Sequence, residues 1–425
     1  MKRQKIHFYF QYGILLLMVF AMPLQRTFLP PLMLLLSFNW VVEVLTDTLC
    51  LLFTRIKKQT PSFQDKWKTV KENRLILPLL LFTGLFVLYC IGLLYSDNMT
   101  YGINDIVLKL PFLAMPLILF TSKLTYWTSK RIKIFFNTFI TGCLIAVGYN
   151  IYSSYIIYSK DLNVANFFYT YGSFLHHPSY ASMMYTLAIA VMIYFLLHRK
   201  TTIIEKIFYL LCFPVFIGDI FLLSSKTAFF VLAFLFVVLF FYILFQKRIK
   251  KINLLYIFLI ILIGGTLYSY LPKNFNRFLS QMERINHLTD FKKDTRYTIW
   301  TNALEVAKNN LPWGTGTGDS KASLKLNYAK NLHFDYYLEE FNCHNQYLQL
   351  LVTLGFLGFF TFIAGQIYSI WIAHKKNYFL YVVFTLIISV NFLTESMLER
   401  QVGVAFFAIF NALLCMFAFA EPKKE

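Results

Sequence analysis

The chain has 425 residues, of which 58% are hydrophobic and only 14% are charged, and its mean hydropathy is +0.56. Soluble globular proteins carry about 25% charged residues, so this composition excludes an ordinary soluble domain and predicts an integral membrane protein. The formal net charge of +19 would suggest nucleic-acid binding in a soluble protein, but here much of the excess lies in short loops, where it sets membrane topology.

Apolar runs recur along the whole chain and predict its fold. They fall near residues 8–24, 27–48, 75–95, 108–122, 132–158, 178–197, 207–223, 227–245, 252–270, 345–371, 378–394 and 402–420. At about 20 residues per crossing, the pattern predicts an all-α polytopic membrane protein with about twelve transmembrane helices. The run at 108–122 is short, so a re-entrant segment is an open alternative there.

Basic residues follow every second apolar run and predict the orientation. They cluster at the N-terminus and near residues 55–74, 123–131, 199–206, 247–251 and 375–376. Because cytoplasmic loops are enriched in Lys and Arg, these loops and both termini are predicted to be cytoplasmic. The interval 271–343 then lies on the opposite face, since loops beyond roughly 60 residues translocate largely regardless of charge. We expect one membrane domain, 1–425, with this extracytoplasmic loop between the ninth and tenth helices.

The six cysteines do not form a metal-binding pattern. Only Cys343 lies in the long loop, so it has no disulfide partner there, and the chain has no CxxC pair or Cys/His cluster. The sequence therefore predicts no metal site and no cofactor.

The polar loop contains an arginine-led amphipathic segment, RYTIWTNALEVAKNN. Arg296 and Trp300 are four residues apart and share a face if the segment is helical. Beside them the helix would carry an apolar stripe, made of Ile299, Ala303, Ala307 and Leu311. Arg296 is either a solvated or lipid-phosphate-facing arginine or part of a functional site, and its neighbourhood favours the second interpretation.

Glycines alternate in the following motif, WGTGTGDS, at Gly314, Gly316 and Gly318. Glycine permits positive φ and close backbone approach, and neighbouring backbone N–H groups in such a turn can cradle an anion. No Gly-Lys-Ser/Thr follows, so the motif is not a P-loop. An anion cradle involving Gly316 and a simple tight turn both remain open.

His344 stands at the start of the apolar run HNQYLQLLVTLGFLG. If the helix begins there, the histidine shares a face with small and apolar residues: Leu348, Leu351, Gly355 and Gly358. An imidazole at the membrane boundary can accept a proton from a hydroxyl or pair with a phosphate. The alternative is an interfacial histidine, followed by Asn345 and Gln346 as polar caps of the helix.

Two further basic residues lie in short turns that are predicted to face the same side as the long loop. Lys226, in LLSSKTAFF, either snorkels to the interface or faces a polar cavity. Arg400 follows Glu395 and Glu399 in TESMLERQ. These three residues form either a self-satisfied ion cluster or the rim of an acceptor site.

The order of these motifs resembles the O-antigen ligase and O-antigen polymerase superfamily of bacterial membrane glycosyltransferases. The resemblance rests on a Ser-Ser-basic turn, then Arg-x-x-x-Trp and Pro-x-Gly-x-Gly in a long outer loop, then His-Asn-x-x-Leu entering a helix. In motif detail it covers 224–358. It implies a GT-C-like helical fold in the bacterial inner membrane, with the active site on the periplasmic face.

The resemblance also implies a reaction: metal-independent transfer of a glycan, with inversion, from an undecaprenyl-pyrophosphate carrier to an acceptor. The acceptor is the lipid A core in ligases, another lipid-linked repeat in polymerases and a protein hydroxyl in related members. It implies a pyrophosphate-binding role for Arg296, whose fork suits phosphate, and a role as base or orienting group for His344. It also points to Lys226, Trp300, Gly316, Asn345 and Arg400 as substrate-binding residues. Lys226 stands where the family usually has arginine.

Two other classes of protein stay open. A transporter or lipid-linked oligosaccharide flippase would also have about twelve helices with both ends inside, although the chain shows no internal repeat and the long loop has little use in a transporter. A structural membrane protein would tolerate the loss of Arg296 and His344. The ligase is favoured over the polymerase, with the lipid A core as the expected acceptor.

Overall fold

The computed structural model describes residues 2–53, 63–199, 201–223, 226–245 and 295–419, and its regular structure in these ranges is entirely helical. The predicted apolar run 252–270 lies outside the described residues, as does the part of the long loop before residue 295. The chain divides into two compact units, Met1–Cys143 with Asn302–Glu425, and Leu144–Thr301. Their boundaries fall inside two of the helices.

Sixteen α-helices occur in the described ranges, together with four short 3-10 helices. Before the break at residue 246 they are α1 Lys2–Ala21, α2 Leu29–Phe53, α3 Phe63–Glu72, α4 Ile76–Leu93, α5 Met99–Lys109, α6 Pro111–Phe120, α7 Ser129–Asp161, α8 Pro178–His198, α9 Ile203–Leu222 and α10 Lys226–Phe245. After it they are α11 Thr295–Asn310, α12 Ser320–Lys330, α13 Phe334–Glu339, α14 Gln346–Lys375, α15 Phe379–Thr394 and α16 Gln401–Phe419.

Seven described segments are long and apolar enough to cross a membrane, which makes the chain a polytopic membrane protein. They are Arg26–Leu45, Ile76–Leu93, Met99–Phe120, Ser129–Asp161, Pro178–His198, Gln346–Lys375 and Gln401–Phe419. Two shorter apolar helices are Phe229–Leu239 and Phe379–Thr394. Every predicted run except 252–270 therefore coincides with a described helix, while the predicted number of crossings stays a prediction.

The fourth predicted run is longer than its apolar residues suggest. It was expected at 108–122, but α5 and α6 follow each other with only Leu110 between them, and together they form the span Met99–Phe120. The helix before residue 108 was missed because Asp105 and Lys109 interrupt the apolar pattern. Both charges are buried in the first unit.

The first unit packs through its aromatic side chains. The ring centroid of Phe410 on α16 lies 4.9 Å from those of Phe139 and Phe406, and all three side chains are fully buried. Because lipid offers no hydrophobic driving force between helices, such close van der Waals packing stabilises the bundle. In the second unit, α8 packs against α9 and α10, with Tyr185 stacked on Phe216 at 5.6 Å.

Helix α14 is broken at Gly355, whose φ of 59° and ψ of −150° are non-helical. The break frees backbone carbonyls of the preceding turn, and the glycine-rich segment after α11 satisfies them. Thr315 N donates to Val352 O at 2.8 Å and Gly316 N to Thr353 O at 3.0 Å, while Phe356 N donates to Pro312 O at 2.9 Å. A broken helix is tolerated in a membrane protein when other protein groups complete its hydrogen bonds.

Candidate active site

His344 lies just before α14 rather than on it. Its φ of +42° is left-handed, and the helix begins at Gln346 with Asn345 as its N-cap. The expectation that His344 shares a helical face with Leu348 and the following small residues was therefore wrong. The left-handed backbone turns the imidazole away from the helix axis, toward the segment that joins α15 to α16.

The nearest titratable partner of His344 is Glu395. Its Nδ1 lies 3.0 Å from Glu395 Oε2, and the two side chains are 29% and 14% exposed. A carboxylate in this position accepts a hydrogen bond from Nδ1–H, which leaves the lone pair on Nε2. It also stabilises the imidazolium that forms when Nε2 takes up a proton, as the carboxylate does in a catalytic triad. The pair has the geometry of an oriented general base.

Asn345 caps the N-terminus of α14. Its side-chain oxygen accepts hydrogen bonds from Tyr347 N at 3.0 Å and Leu348 N at 3.1 Å, which caps the orphan donors at the start of α14. Its own backbone N–H donates to Ser396 Oγ at 3.2 Å. The structure therefore shows Asn345 as the N-cap of α14, while its predicted part in substrate binding stays a prediction.

The residues that follow Glu395 form a buried turn, 395–399. Ser396, Met397 and Leu398 are 2% exposed or less. Leu398 N donates to Gln346 Oε1 at 2.7 Å, so the turn is joined to the first residue of α14 as well as to His344. On the opposite side of the turn, Leu398 O accepts a second hydrogen bond from Lys109 Nζ.

Lys109 is a buried cation beside this turn that the sequence analysis missed. It is 0% exposed, and its Nζ lies 3.1 Å from Asp105 Oδ1 and 3.2 Å from Glu399 Oε1. Burial raises the pKa of the Glu399 carboxyl, while the ammonium of Lys109 opposes that shift. The available signal was a charged residue inside an apolar run, which in a membrane protein is a functional hypothesis by default.

The turn's glutamates pair with residues other than Arg400. Glu395 contacts His344 and Glu399 contacts Lys109, so a self-satisfied cluster of all three residues, one of the two open interpretations, is not seen among the ion pairs of the described residues. Arg400 is exposed, and within the described residues its guanidinium makes no ion pair. It is thus available at the surface beside the turn.

The glycine-rich segment is a packed turn. The backbone N–H groups of residues 314–318 all donate inside the protein: Gly314 to Asn310 O, Thr315 and Gly316 to carbonyls of α14, Thr317 to Gly92 O, and Gly318 to Ser96 Oγ. The carboxylate of Asp319 accepts from the backbone N–H groups of Asp97 and Asn98 at 2.7 and 2.9 Å. With these donors occupied, the structure favours the tight-turn interpretation over an anion cradle at Gly316.

The segment 302–343 positions His344 from the other side. A buried cluster joins α11, α12 and α14, made of Ala303, Val306, Ala307, Leu324, Tyr328, Cys343 and Val352. Cys343 is fully buried in it and donates its N–H to Gln349 Oε1 at 3.2 Å. His344 is therefore held between this helical layer and the turn 395–399.

Arg296 and Trp300 lie on α11 as predicted, in the part that belongs to the second unit. Both are half-buried. The apolar stripe is real at Ile299, Ala303 and Ala307, while Leu311 lies beyond the end of the helix. The indole Nε1 of Trp300 is buried without a hydrogen-bond partner among the described residues.

Lys226 is the first residue of α10, as expected for a turn between two apolar helices. Its side chain lies outside what the structure describes, as do the two serines before it. The predicted pairing of Lys226 with phosphate stays a prediction.

Comparison with known proteins gives a match in the same region. Residues 207–363 match the family model described as O-antigen ligase. This segment includes Lys226, Arg296 and His344, but not Lys109 or the turn 395–399. No curated protein matches the chain. Over residues 207–363, this membrane protein is therefore similar to the O-antigen ligase family.

Proposed function

We propose that the chain is an O-antigen ligase-like glycosyltransferase that moves a glycan from undecaprenyl pyrophosphate to an acceptor hydroxyl. The observation that carries the proposal is the His344–Glu395 pair at 3.0 Å. It lies at the start of an apolar helix, and His344 is within the segment that matches the ligase family.

The transfer step follows from the chemistry of this pair. The acceptor hydroxyl donates its proton to His344 Nε2 as its oxygen bonds to the anomeric carbon of the glycan. The bond between that carbon and the pyrophosphate oxygen breaks, and its electron pair leaves with the pyrophosphate. Attack opposite the leaving group inverts the anomeric centre. Glu395 stays ionised and stabilises the imidazolium.

The leaving pyrophosphate needs fixed positive charge, because its negative charge grows as the bond breaks. We assign this task to Arg296, whose planar fork suits phosphate oxygens. Trp300, one turn further along α11, has an indole N–H without a partner among the described residues, and we propose that it binds the same substrate. Lys226 and Arg400 are the further cations that we propose for substrate binding.

The partners and location follow from the same proposal. The donor is a lipid-linked glycan, the acceptor is the lipid A core, and the enzyme works in the bacterial inner membrane. The active site faces the periplasm and both termini face the cytoplasm, in a GT-C-like fold without a metal. A polymerase, in which the acceptor is a second lipid-linked repeat, uses the same residues. A flippase is the alternative from a different class.

The test is a transfer assay with purified protein, undecaprenyl-pyrophosphate-linked glycan, lipid A core and EDTA. We expect the glycan to move onto the core with the wild type, and activity to fall strongly with His344→Ala and with Arg296→Ala. Longer lipid-linked chains without core modification would identify a polymerase. Unchanged lipids would favour the flippase. Wild-type transfer by both variants would refute the site assignment.

A further inference from the structure

We infer that Lys109 is a positioning residue for the proposed transfer, because it holds the turn 395–399 that carries Glu395 to His344. The inference rests on the proposed function. It concerns a side chain on α5 that lies far along the chain from the family-matched segment and that does not touch His344 itself.

Lys109 is held in one place by charge. It is the last residue of α5, where the carbonyl end of the helix favours a cation. Its ammonium is fully buried between the carboxylates of Asp105 and Glu399, and it lies 5.1 Å from the ring of Tyr89. A buried charge with two carboxylate partners keeps those partners, because losing either would leave a charge unpaired away from water.

The same ammonium holds the backbone of the turn. Lys109 Nζ donates to Leu398 O at 2.5 Å, and Leu398 N donates to Gln346 Oε1 at 2.7 Å. Leu398 is thus bound on one side by α5 and on the other by the first residue of α14. Three residues earlier, Glu395 contacts His344.

This arrangement connects the buried cluster to the base. If the hydrogen bonds of Lys109 to Leu398 and Glu399 are lost, the turn keeps its bonds to α14 but is no longer attached to α5. Glu395 then samples positions away from the imidazole. A misplacement of about 1 Å at a reacting group can cost roughly 100-fold in rate. Because Glu395 acts on the imidazole during the transfer step, the loss should appear in kcat rather than in KM.

The experiment compares two neutralised clusters in the full-length protein. The test variant combines Lys109→Met, Asp105→Asn and Glu399→Gln, which leaves no buried charge unpaired. The matched control combines Lys66→Met with Glu43→Gln, which removes another buried ion pair of the first unit, 2.7 Å long, away from the turn. Lys109→Arg is the conservative variant.

Two quantities are measured on the monodisperse fraction of each variant. The first is kcat and KM in the transfer assay, and the second is hydrogen–deuterium exchange of the backbone amides at 395–400. For the test variant we expect kcat to fall roughly 10- to 100-fold at similar KM, with faster exchange in the turn. We expect Lys109→Arg to retain most of the wild-type kcat and the control to keep wild-type values in both measurements.

Wild-type kcat in the folded test variant, an equal loss in the control, or unchanged exchange in the turn would overturn the inference. If the test variant does not fold, Lys109→Met combined with Asp105→Asn replaces it, because this pair also removes the ammonium from Leu398 O and Glu399, and wild-type kcat in that variant overturns the inference as well. His344→Ala separates the two proposals. If that variant keeps wild-type turnover, the proposed function fails; if it is inactive while the test variant is not slowed, only the role of Lys109 fails.

Discussion

The role of Glu395 can be tested by the substitution Glu395→Gln, which keeps the size of the side chain and removes its charge. Glutamine can still accept Nδ1–H through its amide oxygen, so the orientation of His344 is largely kept. What is lost is the attraction between the carboxylate and the imidazolium that forms during transfer. The substitution therefore isolates the electrostatic part of the interaction.

The distance and exposure of the pair set the expected size. Two unit charges about 4 Å apart attract each other by about 4 kcal/mol near a protein surface and by about 1 kcal/mol in bulk water. Since the His344 side chain is 29% exposed and that of Glu395 is 14% exposed, we expect an intermediate value of about 2 kcal/mol. This corresponds to a roughly 30-fold lower kcat.

The assay is glycan transfer at saturating donor and acceptor, with Glu339→Gln as the control because Glu339 is exposed on α13. We expect the control to keep wild-type kcat. In the His344→Ala background, Glu395→Gln should cause no further loss, because both act through one imidazole. A kcat for Glu395→Gln within twofold of wild type, or a full 30-fold further loss in the double variant, would refute this reasoning.

Two further predictions concern the supports of the site. Gly355→Ala should destabilise the protein by about 2 kcal/mol or more, since alanine is strained at φ 59° and its Cβ would lie 2.0 Å from Pro312 O. The control is Gly365→Ala on the same helix, where the added Cβ would enter open space. This control should leave stability unchanged or raise it by up to about 1 kcal/mol. Thermal unfolding in detergent checks both, and an equal loss in the two variants would contradict the role of the break. The second prediction is that the helical segment 302–343 is sensitive to acid. Hydrogen bonds from Asn331, then Lys330 and Asn327, lower the pKa of Glu305 to about 2. A carboxyl whose pKa is lowered by folding stabilises the fold above the unfolded value of 4.5, and this contribution is lost as the pH falls toward 2. Proteolysis within 302–343 should therefore accelerate below pH 4.5, and Glu305→Gln should remove that part of the pH dependence. An unchanged pH profile in the variant would contradict this prediction.

The positions of the helices could be predicted because membrane helices are apolar along their length. Every predicted run that falls within the described residues coincides with a helix. The helix of Arg296 and Trp300 was also predictable, from residues spaced three and four apart. The start of the span Met99–Phe120 was not, because buried charges look like loop residues when only composition is read.

The candidate site, too, was predictable only in part from the sequence. The sequence alone determined that this is a polytopic membrane protein, and it singled out Arg296 and His344, since hydropathy and local motifs are carried by neighbouring residues. It did not reveal Glu395 as the partner of His344 or Lys109 as the support of the turn, because these contacts join residues that are 51 and 289 positions apart. The tertiary structure also decided that Thr315 and Gly316 of the glycine-rich segment complete a broken helix, because only the folded chain shows which carbonyl groups their N–H donors reach.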